Sequence, residues 1–450
     1  MKYYVECTHT YHTKLNSGIQ RVVRNIVRSS ANTGLAESVV PVVFEGGDFF
    51  AIDKEIPYPE AVHAPSPTLG NAVRSGKELA KRVFRGTRAV VARLIPYRPF
   101  VVFLYAPRTQ WGLTRILTIP LRMVKRSSAP PPQPDPIKTE KGDVLVLLDS
   151  SWHLDLWKAV DKHRKNGVRV AVVIYDLIPH SYPQFCVAAL VDSFNKWVQQ
   201  AVQRIDAVVA ISETVADEFR HELPKIAGQK YPAPAVSYFW LGSELDGERA
   251  GTKPIKPEIQ RIGASAVPTY VYVSTIEPRK NHRYALKAFD ELWKRGVKAN
   301  FVIVGRIGWK VQDFVDEVRG HAQFGKQLFM FNNVEDNELA YLYDNVRGLI
   351  FTSVTEGFGL PIVEGLQRGL PVFASDIPVF REIGQQGVTF VDLDHPVALA
   401  DALDAHCAQG APRLPAPVEW LTWQESTEQL FSRIDACLAE RETTGASAAA

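Results

Sequence analysis

Two glutamates, Glu356 and Glu364, stand eight positions apart and are joined by the sequence GFGLPIV. The apolar run before them, at 348–353, predicts a buried strand, and Pro361 suits the first turn of a helix, where its missing N–H costs nothing. A strand, a glycine loop and a helix in this order point free backbone N–H groups and the positive end of a helix dipole at one place. Two hydrogen-bond acceptors beside such an anion cradle suit a ligand with phosphate and hydroxyl groups, such as a nucleotide sugar. Taken alone, the glutamate spacing also fits an ordinary turn followed by a solvated glutamate.

Two adjacent basic residues, Arg279 and Lys280, are the candidates for binding a diphosphate. When the bond between a sugar and a diphosphate breaks, negative charge builds up on the departing phosphate, so fixed positive groups stabilise the transition state most. A guanidinium fork and a compact ammonium group can divide the phosphate oxygens between them. The alternative is a surface pair at the start of a helix, which is electrostatically unfavourable unless an anion lies beside it.

These segments together resemble the donor site of the retaining glycosyltransferases of family 4. Residues 270–282 (YVYVSTIEPRKNH) are similar to the family's strand and basic loop, and 301–305 (FVIVG) to its next strand and glycine turn. Residues 332–343 are similar to the segment around the nucleobase pocket, and Thr422 and Trp423 open a final helix of the kind that closes this fold. The resemblance covers most of the C-terminal half, and it depends on the order and spacing of the motifs.

The resemblance implies a role for each donor-side residue. Glu364 would hold the ribose hydroxyls, and Glu356 would lie near the donor sugar. Arg279, Lys280 and Glu356 are thereby candidate catalytic residues. Backbone amides of the glycine loop would contact the sugar or the β-phosphate, and its glycines would leave room for the ligand. The loop residues are Gly357, Phe358, Gly359 and Leu360.

Two donor-side assignments stay open. Val334 and Glu338 are candidate neighbours of the nucleobase, but the acidic run at 335–336 fits a helix cap equally well. Many family members also carry a basic residue where this chain has Ser274 and Thr275. Arg279 could replace that residue, so the division of roles between Arg279 and Lys280 is open.

The N-terminal half contributes candidates for the other side of a cleft. Ser17-Gly18 resembles the family's glycine turn before the first helix, which faces the donor phosphates, so Gly18 is a candidate for donor binding. The run at 175–180 (YDLIPH) follows a strand and resembles the segment that lines the reaction centre. This places Asp176 and His180 on the acceptor side as candidate catalytic residues. Alternatively, Asp176 caps a turn and His180 lies on the rim.

Strand and helix signals alternate through both halves, which predicts open, mostly parallel sheets covered by helices. The resemblance implies an α/β chain with the GT-B fold, in which two Rossmann-like domains face each other across a cleft. We expect an N-terminal domain over 1–242 and a donor domain over 243–419. A helix over 420–442 should pack back on the N-terminal domain, and the tail over 443–450 should be disordered. In this scheme Ser212 is the N-cap of a helix.

Residues 74–126 contain thirteen Lys or Arg residues and a single acid, a local charge of +12 in a chain whose net charge is +3. Basic residues alternate there with apolar and aromatic ones, as in a helix that lies on an anionic membrane. An insertion over about 74–136 that only packs on its own domain is the alternative. Nucleic acid is not expected as a partner, because no nucleic-acid-binding signature accompanies the charge.

At 450 residues the chain is long enough for two or three domains, and its 46% hydrophobic and 22% charged residues are ordinary for a soluble globular protein. It contains no apolar run of about 18 residues and begins without a signal-peptide core. We therefore expect a cytoplasmic protein that associates peripherally with the inner membrane. The four scattered cysteines predict reduced thiols rather than a zinc site.

The resemblance implies transfer of a hexose from a nucleoside-diphosphate sugar, with GDP-mannose favoured, and retention of the anomeric configuration. It implies no metal and no other cofactor. The expected acceptor is a glycan. We expect it to be a lipid-linked oligosaccharide of surface polysaccharide or lipopolysaccharide synthesis. Two other functions remain open on the sequence alone: a sugar-nucleotide epimerase or hydrolase on the same fold, and a non-catalytic protein that binds a glycan or a membrane.

Overall fold

The structure is a computed structural model. It describes residues 1–13, 18–56, 135–228, 233–244, 254–384 and 386–448, with side chains as far as 443. The basic segment 74–126 and Ser17 therefore lie outside the described residues. The chain divides into two compact units, of which the larger comprises Met1–Pro57 and Pro136–Ala450.

Within the described residues, the first sheet has seven strands in the order β3-β2-β1-β4-β5-β6-β7. All neighbouring strands are parallel except β2 and β3, which are antiparallel. The central strands are buried along their length because helices cover both faces of the sheet. The strands are β1 Tyr3–Glu6, β2 Val39–Glu45, β3 Asp48–Ala51, β4 Val144–Leu147, β5 Arg169–Ile174, β6 Ala207–Ala210 and β7 Ala235–Tyr238.

Helices connect these strands. Helix α2 begins at Gly18 and buries an apolar stripe that includes Val22, Val23 and Ile26. Ser212 is the N-cap of α6, as predicted, since its side chain accepts a hydrogen bond from the N–H of Val215 at 3.2 Å. The helices are α1 Thr8–His12, α2 Gly18–Ser30, α3 Trp157–Lys165, α4 Ile178–Ser181, α5 Ala188–Ala201 and α6 Glu213–Ala227.

The second sheet has six parallel strands in the described residues, in the order β10-β9-β8-β11-β12-β13. The strands are β8 Thr269–Val273, β9 Asn300–Val304, β10 Leu328–Phe331, β11 Gly348–Phe351, β12 Val372–Ser375 and β13 Val388–Val391. The helices are α7 Pro257–Gly263, α8 His282–Lys294, α9 Gln312–Arg319, α10 Asp336–Asn345, α11 Leu360–Gln367, α12 Pro378–Ile383 and α13 Pro396–Ala408. The predicted α/β architecture of two mostly parallel sheets is confirmed.

The last helix, α14 (Trp423–Ala448), returns from the second sheet to the first. It packs on α2, β6 and β7, and the ring of Phe431 meets that of Tyr3 at 4.8 Å. The helix continues to Ala448, past Thr443, where the composition predicted a disordered tail. Extending an existing helix needs no new nucleus, so a run of small residues can remain helical at its end.

Each sheet has a point at which the chain turns from one side of the sheet to the other. It lies between β1 and β4 in the first sheet and between β8 and β11 in the second. Ligands of open α/β sheets bind beyond the carboxyl ends of the strands at such points. The loop after β8 carries Arg279 and Lys280, and the loop after β11 carries Glu356. The topology of the second sheet therefore brings the candidate donor residues together.

Candidate functional site

The loops that follow β8 and β11 are joined by backbone contacts. A short 3₁₀ turn, Pro278–Lys280, ends the first loop, and Asn281 enters α8 with a left-handed φ of 56°. The N–H of Val354 donates to the carbonyl of Arg279 at 2.8 Å, and the hydroxyl of Tyr272 donates to the carbonyl of Lys280. The positions of the two basic side chains are thus fixed by the sheet beneath them.

Arg279, Lys280, Glu356 and Glu277 form one buried cluster of charges. The guanidinium of Arg279 contacts Glu356 at 2.6 Å and Glu277 at 2.7 Å. The ammonium group of Lys280 pairs with the other oxygen of Glu356. The side chain of Glu356 is 8% exposed and that of Lys280 10% exposed. Two carboxylates therefore balance two cations that are largely removed from water.

The charges in this cluster control each other's ionisation. Burial raises the pKa of Glu356, but Arg279 and Lys280 outweigh it and bring that pKa down to about 2. Burial, followed by repulsion from Arg279, lowers the pKa of Lys280. Burial raises the pKa of Glu277. Glu356 is accordingly ionised at neutral pH, and an incoming anion would compete with it for the same two cations.

Asp176, which follows β5 of the first sheet, lies against this cluster. Burial raises the pKa of Asp176 above its ordinary value, and the opposing charge of Arg279 does not offset this effect. The carboxylate accepts a hydrogen bond from the N–H of Ile178 at 2.9 Å, so it also caps the turn that begins α4. The structure thus brings Asp176 together with the donor-side residues while it fulfils the local capping role.

The glycine loop contacts the protein more closely than the sequence suggested. A methyl group at Gly357 would lie 1.8 Å from the carbonyl oxygen of Tyr175, so a side chain cannot fit there. Gly359 has a φ of 126°, and a methyl group there would lie 3.0 Å from the ring of Phe380. The hydroxyl of Ser212 donates to the carbonyl of Gly357 at 2.8 Å. Packing against the first domain thus excludes a side chain at Gly357, and the positive φ together with packing inside the second domain disfavours one at Gly359. The room that these glycines would leave for a ligand stays a prediction.

The next two loop residues differ in their surroundings. Phe358 is buried, and its ring meets that of Trp420 edge-on at 6.1 Å. Leu360 begins α11 and is partly buried against the core. The first N–H groups of a helix have no partner within it. The amides of Gly359 and Leu360, which the resemblance assigned to the ligand, lie at the start of α11, and that of Phe358 directly precedes them.

His180 is held away from the charge cluster. Its Nδ1 lies 2.7 Å from the side-chain oxygen of Asn195 on α5, and its Nε2 lies 3.6 Å from Glu222 on α6. Among the described contacts of His180, none is with Asp176 or Glu356. The structure brings Asp176, but not His180, into contact with the candidate donor residues.

Glu338 lies at the start of α10, where it forms a reciprocal cap with Glu335. Its Oε1 accepts the N–H of Lys256 at 3.0 Å, and its Oε2 pairs with the ammonium group of Lys256 at 2.7 Å. Both oxygens are thus used within the protein, which supports the capping alternative for this acidic run. Val334 is half-buried beside the same helix and packs on the core.

Glu364 lies on α11 and is 2% exposed. Its Oε2 accepts a hydrogen bond from the hydroxyl of Tyr343 at 3.0 Å, and its Oε1 pairs with Arg21 of α2. Neither Arg21 nor Tyr343 was identified from the sequence. The available signal was the position of Arg21 on the helix that Gly18 opens. Within the described residues, a methyl group at Gly18 would meet no atom closer than 4 Å.

Comparison with known proteins assigns the domain that holds these residues. Residues 256–411 match the family model described as glycosyl transferases group 1. The second sheet and its helices are a group 1 glycosyl transferase domain. This domain contains Arg279, Lys280, Glu356 and Glu364, and Tyr343, which contacts Glu364, lies within it as well.

Two relatives extend the similarity beyond this domain. The serotype-specific mannosyltransferase WbdA of Escherichia coli is 34% identical over 308 residues, which are 67% of this chain and 38% of WbdA. The O-antigen chain mannosyltransferase B of Escherichia coli is 26% identical over 315 residues, 66% of this chain and 80% of that protein. This chain thus spans less than half the length of WbdA.

Solved structures show the fold of the whole chain. HepE of Anabaena, in complex with UDP and glucose, aligns over 99% of this chain and 100% of its own, with a TM-score of 0.52 and 13% identity. Sucrose-phosphate synthase of Thermosynechococcus elongatus aligns over 99% of this chain and 97% of its own, with a TM-score of 0.51 and 13% identity. The predicted GT-B fold is confirmed.

Proposed function

We propose that this chain is a retaining glycosyltransferase that moves a hexose from a nucleoside-diphosphate sugar to a glycan. The observation that carries the proposal is the buried pair of cations, Arg279 and Lys280, at the turning point of the second sheet and beside Asp176. The group 1 domain supports the reaction class. Mannosyltransferases among the relatives support mannose as the sugar, with GDP-mannose as the donor.

In the proposed donor complex, the diphosphate takes the place of Glu356 on Arg279 and Lys280. The displaced carboxylate of Glu356 turns to the hydroxyl groups of the donor sugar. Glu364 accepts hydrogen bonds from the ribose, and Val334 contacts the nucleobase. The amides of Phe358, Gly359 and Leu360 bind the sugar or the β-phosphate at the start of α11, and Gly18 approaches the phosphates from the first domain.

In the proposed reaction, the acceptor oxygen forms a bond to the anomeric carbon on the face from which the diphosphate leaves. The bond between that carbon and the β-phosphate oxygen breaks, and the departing phosphate accepts the proton of the acceptor hydroxyl. Arg279 and Lys280 stabilise the charge that develops on the phosphate, the task that a metal ion performs in other enzymes. Asp176 orients the acceptor hydroxyl by accepting a hydrogen bond. The proposal needs no metal and no other cofactor.

The proposed acceptor is a lipid-linked oligosaccharide of surface polysaccharide synthesis. Both relatives quoted above are mannosyltransferases, and one is named for the O-antigen chain. Among the described residues, no helix is long and apolar enough to cross a membrane. From the excess of positive charge in residues 74–126, we propose that this segment attaches the enzyme to the anionic cytoplasmic face of the inner membrane.

The full chain, incubated with GDP-mannose and in parallel with UDP-glucose, tests this function. We expect release of the nucleoside diphosphate from one donor to rise when a membrane extract containing lipid-linked glycans is added. The product should keep the anomeric configuration of the donor, measured by NMR of the released glycan. Donor turnover that is equally fast without an acceptor would instead indicate an epimerase or a hydrolase. Binding without turnover under every condition would indicate a non-catalytic protein.

A further inference from the structure

Arg21 connects the first domain to the proposed ribose-binding residue. It lies on α2, and its guanidinium pairs with the Oε1 of Glu364 on α11 of the second domain. The other oxygen of Glu364 accepts a hydrogen bond from the hydroxyl of Tyr343, and the side chain of Tyr343 is fully buried. Burial, together with the charge of Glu364, raises the pKa of Tyr343 well above its ordinary value, so this hydroxyl always donates. Two fixed donors therefore hold the carboxylate in one orientation.

The same guanidinium also contacts the segment where the chain crosses between the two domains. Its Nη2 donates to the carbonyl of Glu244 at 3.2 Å. The carboxylate of Glu244 accepts the N–H of Trp423, at the start of α14, at 2.8 Å. A methyl group at Gly242 would lie 2.6 Å from the same nitrogen, so the outgoing and returning segments are in direct contact. Arg21 thus joins α2, Glu364 and the crossing.

We propose that Arg21 is a positioning residue that aims Glu364 at the nucleotide and couples nucleotide binding to the contact between the two domains. This inference rests on the proposed function, because it takes Glu364 as the residue that binds the ribose. A carboxylate has about four lone-pair sites, and Arg21 and Tyr343 use two of them. The remaining sites can accept the two ribose hydroxyls only while the carboxylate keeps its orientation.

The planar fork of Arg21 is needed for both contacts at once. A lysine has one compact ammonium group and could keep the charge beside Glu364, but it could not also reach Glu244 with the same geometry. A hydrogen bond between charged groups contributes more than a neutral one. Arg21→Ala should therefore weaken nucleotide binding about tenfold to a hundredfold, and Arg21→Lys should cause a smaller loss.

Isothermal titration of the full chain with GDP, and separately with UDP, measures this effect. The variants are Arg21→Ala, Arg21→Lys, Glu364→Gln and the double variant Arg21→Ala with Glu364→Gln. Arg28→Ala is the matched control, because Arg28 lies two turns along the same helix, is also partly exposed and contacts Asn25. We expect Arg28→Ala to bind like the unchanged protein. The double variant should bind no more weakly than Glu364→Gln, since Arg21 acts through Glu364.

Thermal unfolding of each variant separates a positioning role from a purely structural one. A purely structural contact would lower the melting temperature of Arg21→Ala and leave the nucleotide affinity of the folded protein unchanged, which would overturn the inference. Additive losses in the double variant would overturn it too, while leaving the proposed function intact. If Arg21→Ala does not fold, Arg21→Lys decides: unchanged affinity would contradict the inference. If the unchanged protein binds neither nucleotide, the proposed function fails and this inference fails with it.

Discussion

At the scale of single residues, the central feature is the carboxylate of Glu356, which forms ion pairs with two cations in the protein without ligand. Glu356 pairs with both Arg279 and Lys280, and the second acid, Glu277, also contacts Arg279. This arrangement keeps two buried positive charges stable until an anion arrives, because unpaired buried charges are costly. In the proposed donor complex, the diphosphate takes the place of Glu356 on these two cations.

Removing either cation should slow the chemical step. We expect Arg279→Ala or Lys280→Ala to lower kcat by about two to three orders of magnitude, the loss typical of one transition-state donor. Arg283→Ala is the matched control, because Arg283 makes surface pairs with Asp313 and Glu317. Steady-state kinetics with GDP-mannose provide the measurement, with circular dichroism to verify folding. Unchanged kcat in both cation variants would remove the assigned donor site.

The low pKa of Glu356 makes a prediction about stability and pH. The pKa falls from an ordinary value of 4.5 in the unfolded chain to about 2 in the folded protein. The resulting stabilisation, roughly 3 kcal/mol at neutral pH, is complete well above 4.5 and is lost as the pH falls towards 2. Urea unfolding between pH 7 and pH 3 should therefore show a steeper loss for the unchanged protein than for Glu356→Gln. If the free energy of unfolding falls equally with pH in the two proteins, the ion pairs of Glu356 with Arg279 and Lys280 are contradicted.

At the scale of structural elements, short loops and helix ends hold the two domains in contact. Glu382 of α12 accepts the N–H groups of Glu213 and Thr214 at 2.8 and 2.9 Å, and so caps α6 of the other domain. It also accepts the indole N–H of Trp240 at 2.8 Å. Such a cap satisfies N–H groups that the helix itself cannot satisfy. The glycine loop makes a second contact between the domains. The carbonyl of Gly357 accepts a hydrogen bond from the hydroxyl of Ser212, and the loop backbone lies against Tyr175.

Gly357→Ala should disturb this contact. The methyl group would overlap the carbonyl of Tyr175, and because both atoms belong to backbone segments, neither can move without shifting a loop. We expect the free energy of unfolding to fall by about 2 to 3 kcal/mol, a typical cost of overpacking. Gly34→Ala is the control, since within the described residues no atom lies within 4 Å of its added methyl group. Urea unfolding measures both, and equal stability of the two variants would be inconsistent with the contact.

At the scale of the whole molecule, the group 1 domain contacts the first domain at several places. The crossing at Gly242 and Trp423 and the return of α14 onto the first sheet make the two domains one unit. Substrate binding between them would therefore depend on both. The segment 74–126 lies outside the described residues, and its proposed partner is the membrane.

Membrane attachment through this segment should depend on its charge. Replacing Arg82, Arg85, Arg88 and Arg93 with Gln should weaken binding to liposomes that contain anionic lipid about a hundredfold or more, because each basic residue contributes about 1 kcal/mol. Added salt should weaken it as well. Liposome flotation measures both effects.

The control for this experiment carries the same change in charge elsewhere. Four exposed basic residues of the second domain are replaced with Gln: Arg261, Lys287, Lys298 and Lys326. We expect this variant to float with the liposomes as the unchanged protein does. Equal release of both variants from the liposomes would show a general charge effect. If liposome binding depends neither on salt nor on any of these residues, the segment only packs on its own domain.

The sequence by itself determined the elements and their class. Buried parallel strands are short apolar runs, so β8, β9 and β11 could be located before their partners were known. Local chemistry and the resemblance to the family's donor site selected Arg279, Lys280, Glu356 and Glu364 as candidates, and their roles stay predictions. The cap formed by Ser212 is equally local. By contrast, the antiparallel hairpin of β2 and β3 was not predicted, although the apolar run of β2 and the glycine turn at Gly46 and Gly47 are local signals.

Only the tertiary structure decided which residues act across the two domains. Arg21 and Glu364 are 343 positions apart, and no local pattern links a partly exposed arginine on one helix to a buried carboxylate on another. The reason for Gly357 was likewise hidden, because the carbonyl that excludes a side chain belongs to Tyr175 of the other domain. His180 has side-chain partners on α5 and α6 that the sequence did not reveal. The contacts of Arg21 and Gly357 depend on how the two domains meet, and those of His180 depend on how helices pack within the first domain. Both are set by the whole fold rather than by neighbours in the sequence.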